Sequence, residues 1–381
     1  MDAIVRSQLM YISVILTIIL IPKIIQRFKV PAPLTSFGLG ILVSFASIEY
    51  IQDPVIGLLA ILGISSLFLF AGLEVNVSSL KVSAKALISH LLIRSLILAL
   101  WVWIGVHFFN LTWQTSGLIA LAVLTPSTGF ILDSLPTIGL NSQERFWVTS
   151  KAIAGEILAL SLLFFILKSE SLNTLSFSMG ILLLIIFGLP VLFILLNKYV
   201  IPYAPNSEFS LLIVVGIIAA YITKQIGVYY LVGAFIAGIV ASQLRERLPN
   251  LASENNLNAV KLFATFFVPF YFFYSGMKVP HGAFNFSALW LGLAISAVLI
   301  PLRIASVTIQ RVIMHGDQWI SAFRVSAALT PTLIFTLVIS TILHERFDLT
   351  DDLFGGLLIY ACISTLIPIW VLPKPYKFDL T

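Results

Sequence analysis

The stretch Leu124-Thr125-Pro126-Ser127-Thr128 interrupts an apolar run that is otherwise long enough to cross a bilayer. Proline has no backbone N–H, so Pro126 opens the helical hydrogen-bond ladder, and hydroxyl groups stand on both sides of it. Inside a membrane such irregular backbone is tolerated only where protein or a water-filled cavity covers it. The stretch therefore predicts a broken membrane helix, with polar groups at the break.

The same pattern returns 205 residues further along the chain. The segment A-x-L-T-P-S-x-x-F-x-L at 122–132 recurs without a gap as A-x-L-T-P-T-x-x-F-x-L at 327–337. A second pair, F-x-F-A-G-L-E-V at 68–75 and F-x-Y-S-G-M-K-V at 272–279, repeats at an offset of 204. Matching interrupted segments in two halves are typical of the binding sites of secondary transporters. Chance similarity between apolar segments is the alternative.

The composition places the chain in a membrane. Of its 381 residues 59% are hydrophobic and only 10% are charged, and the mean hydropathy is +1.04. Soluble domains carry about 25% charged residues. The net charge of +5 does not indicate nucleic-acid binding, because the basic residues are spread between the apolar runs. The single cysteine excludes an internal disulfide, and no nucleotide-binding or zinc motif is present, so no cofactor is expected.

The apolar runs predict an all-α multi-pass protein with thirteen transmembrane helices. The predicted spans are 8–26, 34–50, 54–73, 84–109, 115–138, 144–168, 176–200, 208–226, 228–244, 258–276, 285–314, 318–343 and 352–372. With the N-terminus outside and the C-terminus in the cytoplasm, thirteen basic residues lie at cytoplasmic ends and five at outer ends, the bias that sets topology. Both repeated pairs are seven spans apart, which predicts inverted repeats of spans 1–6 and 8–13.

Glu156 is the charge placed deepest in an apolar span. A charge at the bilayer centre costs about 2.5–3.5 kcal/mol on insertion scales, so it marks a functional site by default. Glu156 is therefore the predicted proton- and cation-binding carboxylate, beside the small residue Gly155. The alternative is a structural carboxyl group in a permanent ion pair.

Other polar residues complete the predicted site. Arg303 cannot deprotonate and is expected to be a fixed counter-charge that pairs with Glu156 in one state, unless it reaches the cytoplasmic interface. Asp133 and Lys151 are secondary candidates; Asp133 can equally be a solvated helix end, and Lys151 is expected to be interfacial. Arg94 is expected near a cytoplasmic end.

The predicted helix breakers are Pro126 and Pro331, and the predicted oxygen ligands are Thr125, Ser127, Thr128, Thr330 and Thr332. The alternative for each break is a proline kink healed by Ser/Thr hydrogen bonds.

Four landmarks resemble the membrane domain of the monovalent cation:proton antiporter-2 family, within the sodium/hydrogen exchanger superfamily. They are L-F-L-F-A-G-L-E at 67–74, the segment 124–135 with its Ser127-Thr128, V-G-A-F-I-A-G at 232–238, and the segment from F-V-P-F to S-G-M at 267–277. The resemblance covers the whole chain. Each landmark alone is weak, but together they are specific.

The resemblance implies a homodimer that exchanges sodium or potassium for protons by an elevator mechanism. The short connectors between spans predict one transmembrane transporter domain over 1–375 and no soluble regulatory domain, unlike in many potassium-efflux members of the family. The dimerisation part comprises about 8–80 and 208–276, the core part about 84–168 and 285–372, and the linker helix about 176–200. The resemblance places Glu156 on the second acid of the family's acidic pair and Arg303 on the family's basic position. The expected location of the protein is the plasma (inner) membrane.

One departure from the family leaves the substrate open. Gly155 stands where the family usually has Asp, Asn or Gln, so a single carboxylate remains. One-for-one exchange, or another substrate, fits one carboxylate better than electrogenic exchange. A cation-coupled solute carrier and a non-transporting membrane sensor or scaffold remain the alternatives.

Overall fold

A computed structural model describes residues 3–46, 53–75, 83–169, 171–204, 206–245, 247–248, 251 and 253–372. These residues contain helices and no strand. The helices are α1 (Ala3–Ile25), α2 (Ala32–Ala46), α3 (Pro54–Leu73), α4 (Ala84–Phe109), α5 (Trp113–Leu124), α6 (Thr128–Ser134), α7 (Ser142–Lys168), α8 (Leu172–Tyr199), α9 (Glu208–Gln225), α10 (Tyr230–Gln243), α11 (Glu254–Met277), α12 (Phe286–His315), α13 (Trp319–Ala328), α14 (Leu333–Arg346) and α15 (Asp351–Val371).

The chain is a multi-pass membrane protein. Within the described residues, ten helical segments are long and apolar enough to span a bilayer, and eleven if the bent pair α13 and α14 counts as one. The predicted second and ninth spans correspond to α2 and α10, which have only 15 and 14 residues, and the end of the second span, 47–50, lies outside the described residues. The count of thirteen spans and their inverted repetition therefore stay predictions.

Helix starts follow local sequence signals. The Asp53 side chain accepts hydrogen bonds from the N–H groups of Val55 and Ile56 at the start of α3, with Pro54 in the first helical position. Asn141 and Glu144 form a capping box at the start of α7, in which each side chain accepts a bond from the other residue's N–H. These caps fix where the two helices begin.

The helices form two compact units. The first comprises Met1–Glu74 and Ile181–His281. Inside it α3 and α10 pack backbone against backbone through two family landmarks, because a Cβ at Gly72 would lie 2.3 Å from the Phe235 oxygen, and a Cβ at Gly238 would lie 2.3 Å from the Leu69 oxygen. Small residues allow membrane helices to approach in this way.

The second unit comprises Val75–Gly180 and Gly282–Thr381. It contains both broken helices, α5–α6 and α13–α14, together with α4, α7, α12 and α15. Every residue predicted for the site lies in this unit.

Candidate functional site

The first predicted break is a break in the structure. Helix α5 ends at Leu124 and α6 begins at Thr128, with Thr125 and Ser127 in extended conformations between them. The Thr125 N–H still bonds the Leu121 oxygen at 3.1 Å. The next residue, Pro126, has no N–H with which to continue the ladder.

The second break repeats the arrangement. Helix α13 ends at Ala328 and α14 begins at Leu333, and the two axes are bent by 44°. The residues between them include Thr330, Pro331 and Thr332, the counterparts of the residues at the first break. Both copies of the repeated sequence pattern therefore contain a break in a helix.

The two breaks contact each other. The Ser127 N–H donates to the Pro331 oxygen at 2.8 Å, and the Ser127 hydroxyl accepts a bond of 3.0 Å from the N–H of Ile334 in the first turn of α14. In return, the Thr336 hydroxyl donates to the Ala122 oxygen in the last turn of α5 at 2.8 Å. Each broken helix thus satisfies backbone groups that the other leaves open.

Side chains from other helices satisfy the remaining carbonyl groups at the end of α5. The Tyr360 hydroxyl donates to the Val123 oxygen at 2.5 Å, and Arg94 Nη2 donates to the Leu124 oxygen at 2.8 Å. A helix C-terminus carries a partial negative charge, so a guanidinium group is a stabilising partner there.

Arg303 has the corresponding role at the second break. It donates to the Leu329 oxygen at 2.9 Å, and to the Thr330 oxygen and the Tyr360 hydroxyl at 2.8 Å each. Leu124 and Leu329 are matched positions of the repeat, so one arginine holds each break. In this structure Arg303 is half-buried and bound to backbone, and no ion pair joins it to Glu156 within the described residues.

Glu156 lies on α7 with no exposed surface. Neither carboxyl oxygen makes a hydrogen bond of normal geometry to the described residues, although the Thr128 hydroxyl lies close enough to interact with the carboxyl group. The hydroxyl groups of Thr125 and Thr128 are also buried without a hydrogen-bond partner in the described part of the chain. Buried polar atoms normally have partners, so these four oxygens are the chain's candidate ligands for a hard cation.

Arg94 occupies the space next to Gly155, the residue before Glu156. A Cβ at position 155 would lie 2.7 Å from Arg94 Nη1, so Gly155 leaves the volume that the guanidinium group fills. A larger side chain at this position would displace Arg94.

The other predicted ligands are engaged elsewhere. The Thr330 hydroxyl donates to backbone oxygens, including that of Ser364 at 3.0 Å, and the Thr332 hydroxyl pairs with the Ser364 hydroxyl at 3.1 Å. Of the predicted hydroxyl ligands, the structure thus brings Thr128 to Glu156 and leaves the Thr125 hydroxyl without a partner among the described residues, whereas the Ser127 hydroxyl accepts from the Ile334 N–H. Asp133 is exposed near the end of α6.

Two basic residues have surroundings that the sequence did not indicate. Lys151 has no exposed surface, and its Nζ donates to Gln310 Oε1 at 2.6 Å. Arg94 is not at a cytoplasmic end but near the middle of α4, against Gly155. Each residue lies within a predicted apolar span, where the sequence does not show which group will be its partner.

Sequence reasoning missed Arg94, Tyr360, Thr336 and Gln310 as part of the site. The rule that flagged Glu156 also applies to Arg94, because a charge within an apolar span has a reason to be there. No signal in the sequence identifies Tyr360 or Thr336, which act on backbone groups more than 200 residues away.

Comparison with known families gives one match over nearly the whole chain. The family described as "Sodium/hydrogen exchanger, transmembrane" matches residues 12–373.

Individual proteins agree with that match. The chain is 26% identical over 374 residues to "Probable Na(+)/H(+) antiporter 3" of Methanocaldococcus jannaschii, covering 94% of each chain. It is 23% identical over 357 residues to the Na(+)/H(+) antiporter of Enterococcus hirae, covering 90% of this chain and 91% of that protein. Among solved structures, the sodium proton antiporter MjNhaP1 of M. jannaschii at pH 8 has the same fold, with a TM-score of 0.65, 16% identity and 95% of each chain covered.

Proposed function

Because this chain belongs to the sodium/hydrogen exchanger family, we propose that it is a secondary antiporter that exchanges a monovalent cation for protons. Its relatives are named as antiporters, which are transporters and not enzymes. Sodium is the proposed cation, because both relatives are named for sodium; potassium remains to be compared in the same assay.

One observation carries this proposal. Among the described residues, Glu144 and Glu156 are the carboxylates with nearly or fully buried side chains. Glu144 belongs to a capping box and lies 3.2 Å from Arg324, whereas Glu156 has neither a cap nor an ion pair. A buried carboxyl group without a fixed partner can alternate between a proton and a cation, since each neutralises its charge.

The proposed exchange is a competition at Glu156. A bound proton leaves the carboxyl group neutral. A bound cation is coordinated by the carboxylate, the Thr125 and Thr128 hydroxyls and water. Arg94 and Arg303 stay charged throughout and hold the two breaks in place. With one carboxylate that changes state, the scheme exchanges one cation for one proton.

The proposal extends to the architecture. The second unit would be the moving core, because all the site's hydrogen bonds lie inside it, and the first unit would carry the homodimer interface. Broken helices in matched halves support inverted repeats and elevator-type alternating access. The excess of basic residues at one set of span ends supports an N-terminus outside and a C-terminus in the cytoplasm of the plasma membrane.

Proteoliposomes that contain a pH-sensitive dye test the proposal. Sodium, lithium or potassium added outside should drive protons out at rates that saturate with cation concentration. Glu156→Gln should abolish this flux, and Glu156→Asp should retain part of it. Glu345→Gln, which removes an exposed carboxylate from the same unit, is the matched control and should transport normally.

Three results would contradict the proposal. Cation-driven proton flux that survives Glu156→Gln would remove Glu156 from its role. A wild-type protein that is folded, yet moves no protons with any cation at any pH, would favour a non-transporting sensor or scaffold. Uptake of an organic solute driven by a cation gradient would favour a solute carrier.

A further inference from the structure

A cavity of about 60 Å³ lies inside the second unit, between α4 and α12 and beside both breaks. Its polar lining includes His90, Arg94, Arg303, Ser306 and Gln310, and none of its lining residues is acidic. A single water needs about 10–15 Å³ measured in this way, so the cavity has room for several waters or one small ion.

The cavity concentrates positive charge. Arg94 and Arg303 face it directly, and Gln310 connects it to a third cation, the buried Lys151, because its Oε1 accepts from Lys151 Nζ. The ion pairs found among the described residues involve other basic side chains, so none of these three has a carboxylate partner there. Arg94 and Arg303 are half-buried and Lys151 is buried, and a charge that is shielded from water without a counter-charge is destabilising.

The helix ends compensate only part of this charge. The C-termini of α5 and α13 present about half a negative charge each to the two arginines, and Glu156 contributes at most one more. The three cations carry three positive charges, and the two helix ends and Glu156 together offset about two of them. About one positive charge is therefore left without compensation.

Hydrogen-bond donors are also left over. Arg94 has five N–H groups and donates a single hydrogen bond, through Nη2 to the Leu124 oxygen. Arg303 donates three bonds through its two terminal nitrogens, which leaves two N–H groups unused. A ligand in this cavity would meet unused N–H groups and a net positive charge.

We propose that this cavity binds one small inorganic anion of the chloride or nitrate class between Arg94 and Arg303. The anion supplies the missing counter-charge and accepts the unused guanidinium N–H bonds. Because each arginine holds one of the two breaks, the anion also ties α4 to α12 across the crossing point of the broken helices.

A consequence for transport follows, and it rests on the proposed function. The unneutralised arginines lie at the two breaks, in the same unit as Glu156, and repel an entering cation; a bound anion reduces that repulsion. Replacing chloride with a large organic anion should therefore raise the KM for sodium several-fold and leave kcat nearly unchanged.

Binding is tested separately from transport. The purified full-length protein is unfolded thermally in detergent at constant sodium and ionic strength, while gluconate is replaced stepwise by chloride. The Tm should rise saturably, on the order of 2 °C at anion concentrations well above Kd. In crystals grown with bromide, an anomalous peak should lie between Arg94 and Arg303.

The Ser306→Leu variant fills the cavity without removing a charge. Ser306 Oγ donates to the Arg303 backbone oxygen in its own helix, and Ser161→Leu is the matched control, because that exposed serine makes the same kind of bond in α7. Ser306→Leu should match the wild type in gluconate, which shows that it folds, and should lose the chloride response. Ser161→Leu should keep the response.

Three outcomes would overturn the proposal. They are a Tm that does not respond to chloride, a response that Ser306→Leu retains, and a bromide peak elsewhere. A saturable response without cation flux would instead contradict the proposed function and leave the anion site standing.

Discussion

The backbone N–H of Ser127 donates a 2.8 Å hydrogen bond to the backbone oxygen of Pro331, although the two residues are 204 positions apart. This bond joins the two breaks directly. The Ser127 hydroxyl accepts from the Ile334 N–H at 3.0 Å and so acts as the N-cap of α14, whose own Thr332 makes no cap bond with its side chain. The crossing point is therefore held by mutual capping as well as by packing.

Ser127→Ala should weaken the crossing point. It removes the side-chain cap of α14, and the loss of an N-cap costs about 0.5–2 kcal/mol. The prediction is a Tm lowered by a few degrees, with a reduced kcat for cation-driven proton flux. Ser161→Ala, which removes only a local hydroxyl on an exposed face of α7, should change neither quantity. Equal Tm values for Ser127→Ala and Ser161→Ala would show that the cap contributes nothing to the stability of the protein.

Gly155→Ala should reduce transport without unfolding the protein. The new methyl group would lie 2.7 Å from Arg94 Nη1, at the end of a flexible side chain, so Arg94 can move away but loses its bond to the Leu124 oxygen. Proteoliposome flux at saturating sodium measures the loss, which should be at least tenfold.

Gly180→Ala is the control for that substitution. A Cβ at Gly180 meets nothing within 4 Å, and alanine favours a helix over glycine by about 1 kcal/mol. This variant should transport normally and be equally or more stable. In the double variant Arg94→Ala/Gly155→Ala, the glycine substitution should cause little further loss, because its effect acts through Arg94. Additive losses would contradict this coupling.

Tyr360→Phe should destabilise the second unit. The hydroxyl group donates to the Val123 oxygen and accepts a bond from Arg303, so its removal leaves a buried carbonyl group unpaired at a cost of about 1–3 kcal/mol. Thermal unfolding in detergent measures the effect. Tyr221→Phe, on an exposed tyrosine of α9, should be neutral. A Tyr360→Phe variant as stable as the wild type would show that water replaces the hydroxyl group.

Glu74 should make stability depend on pH in the first unit. Burial raises the pKa of Glu74 above its usual value, although Lys261 and Arg245 act in the opposite direction. The folded state then holds this proton more tightly than the unfolded state, so stability falls as pH rises from the usual carboxyl pKa through the raised one. Tm measured from pH 4 to 8 should fall less for Glu74→Gln than for the wild type. If the Tm of the wild type instead rose with pH relative to that of Glu74→Gln, the predicted direction of the pH dependence would be wrong.

Much of the site was open to prediction because it depends on local chemistry. Pro126 and Pro331 lack N–H groups, which weakens a helix locally, but Pro190, Pro269 and Pro301 lie inside continuous helices, so proline alone does not identify a break. The repeated pattern of proline between hydroxyl groups identified both breaks. Glu156 stood out because a carboxyl group inside an apolar run is costly. The functions of Arg94 and Tyr360 were not predictable, since their partners are single backbone oxygens that sequence patterns do not specify.

The sequence by itself determined that this is a helical membrane protein with two matched broken helices and a carboxylate deep in the span that follows the first of them. Apolar length, proline chemistry and the cost of burying charge act locally, so they can be derived from the order of residues. Only the tertiary structure decided which groups satisfy the broken backbone, and that Arg94 rather than a second acid fills the space at Gly155. The orphan carbonyl groups at a break must find donors, and packing between distant helices determines which side chains supply them.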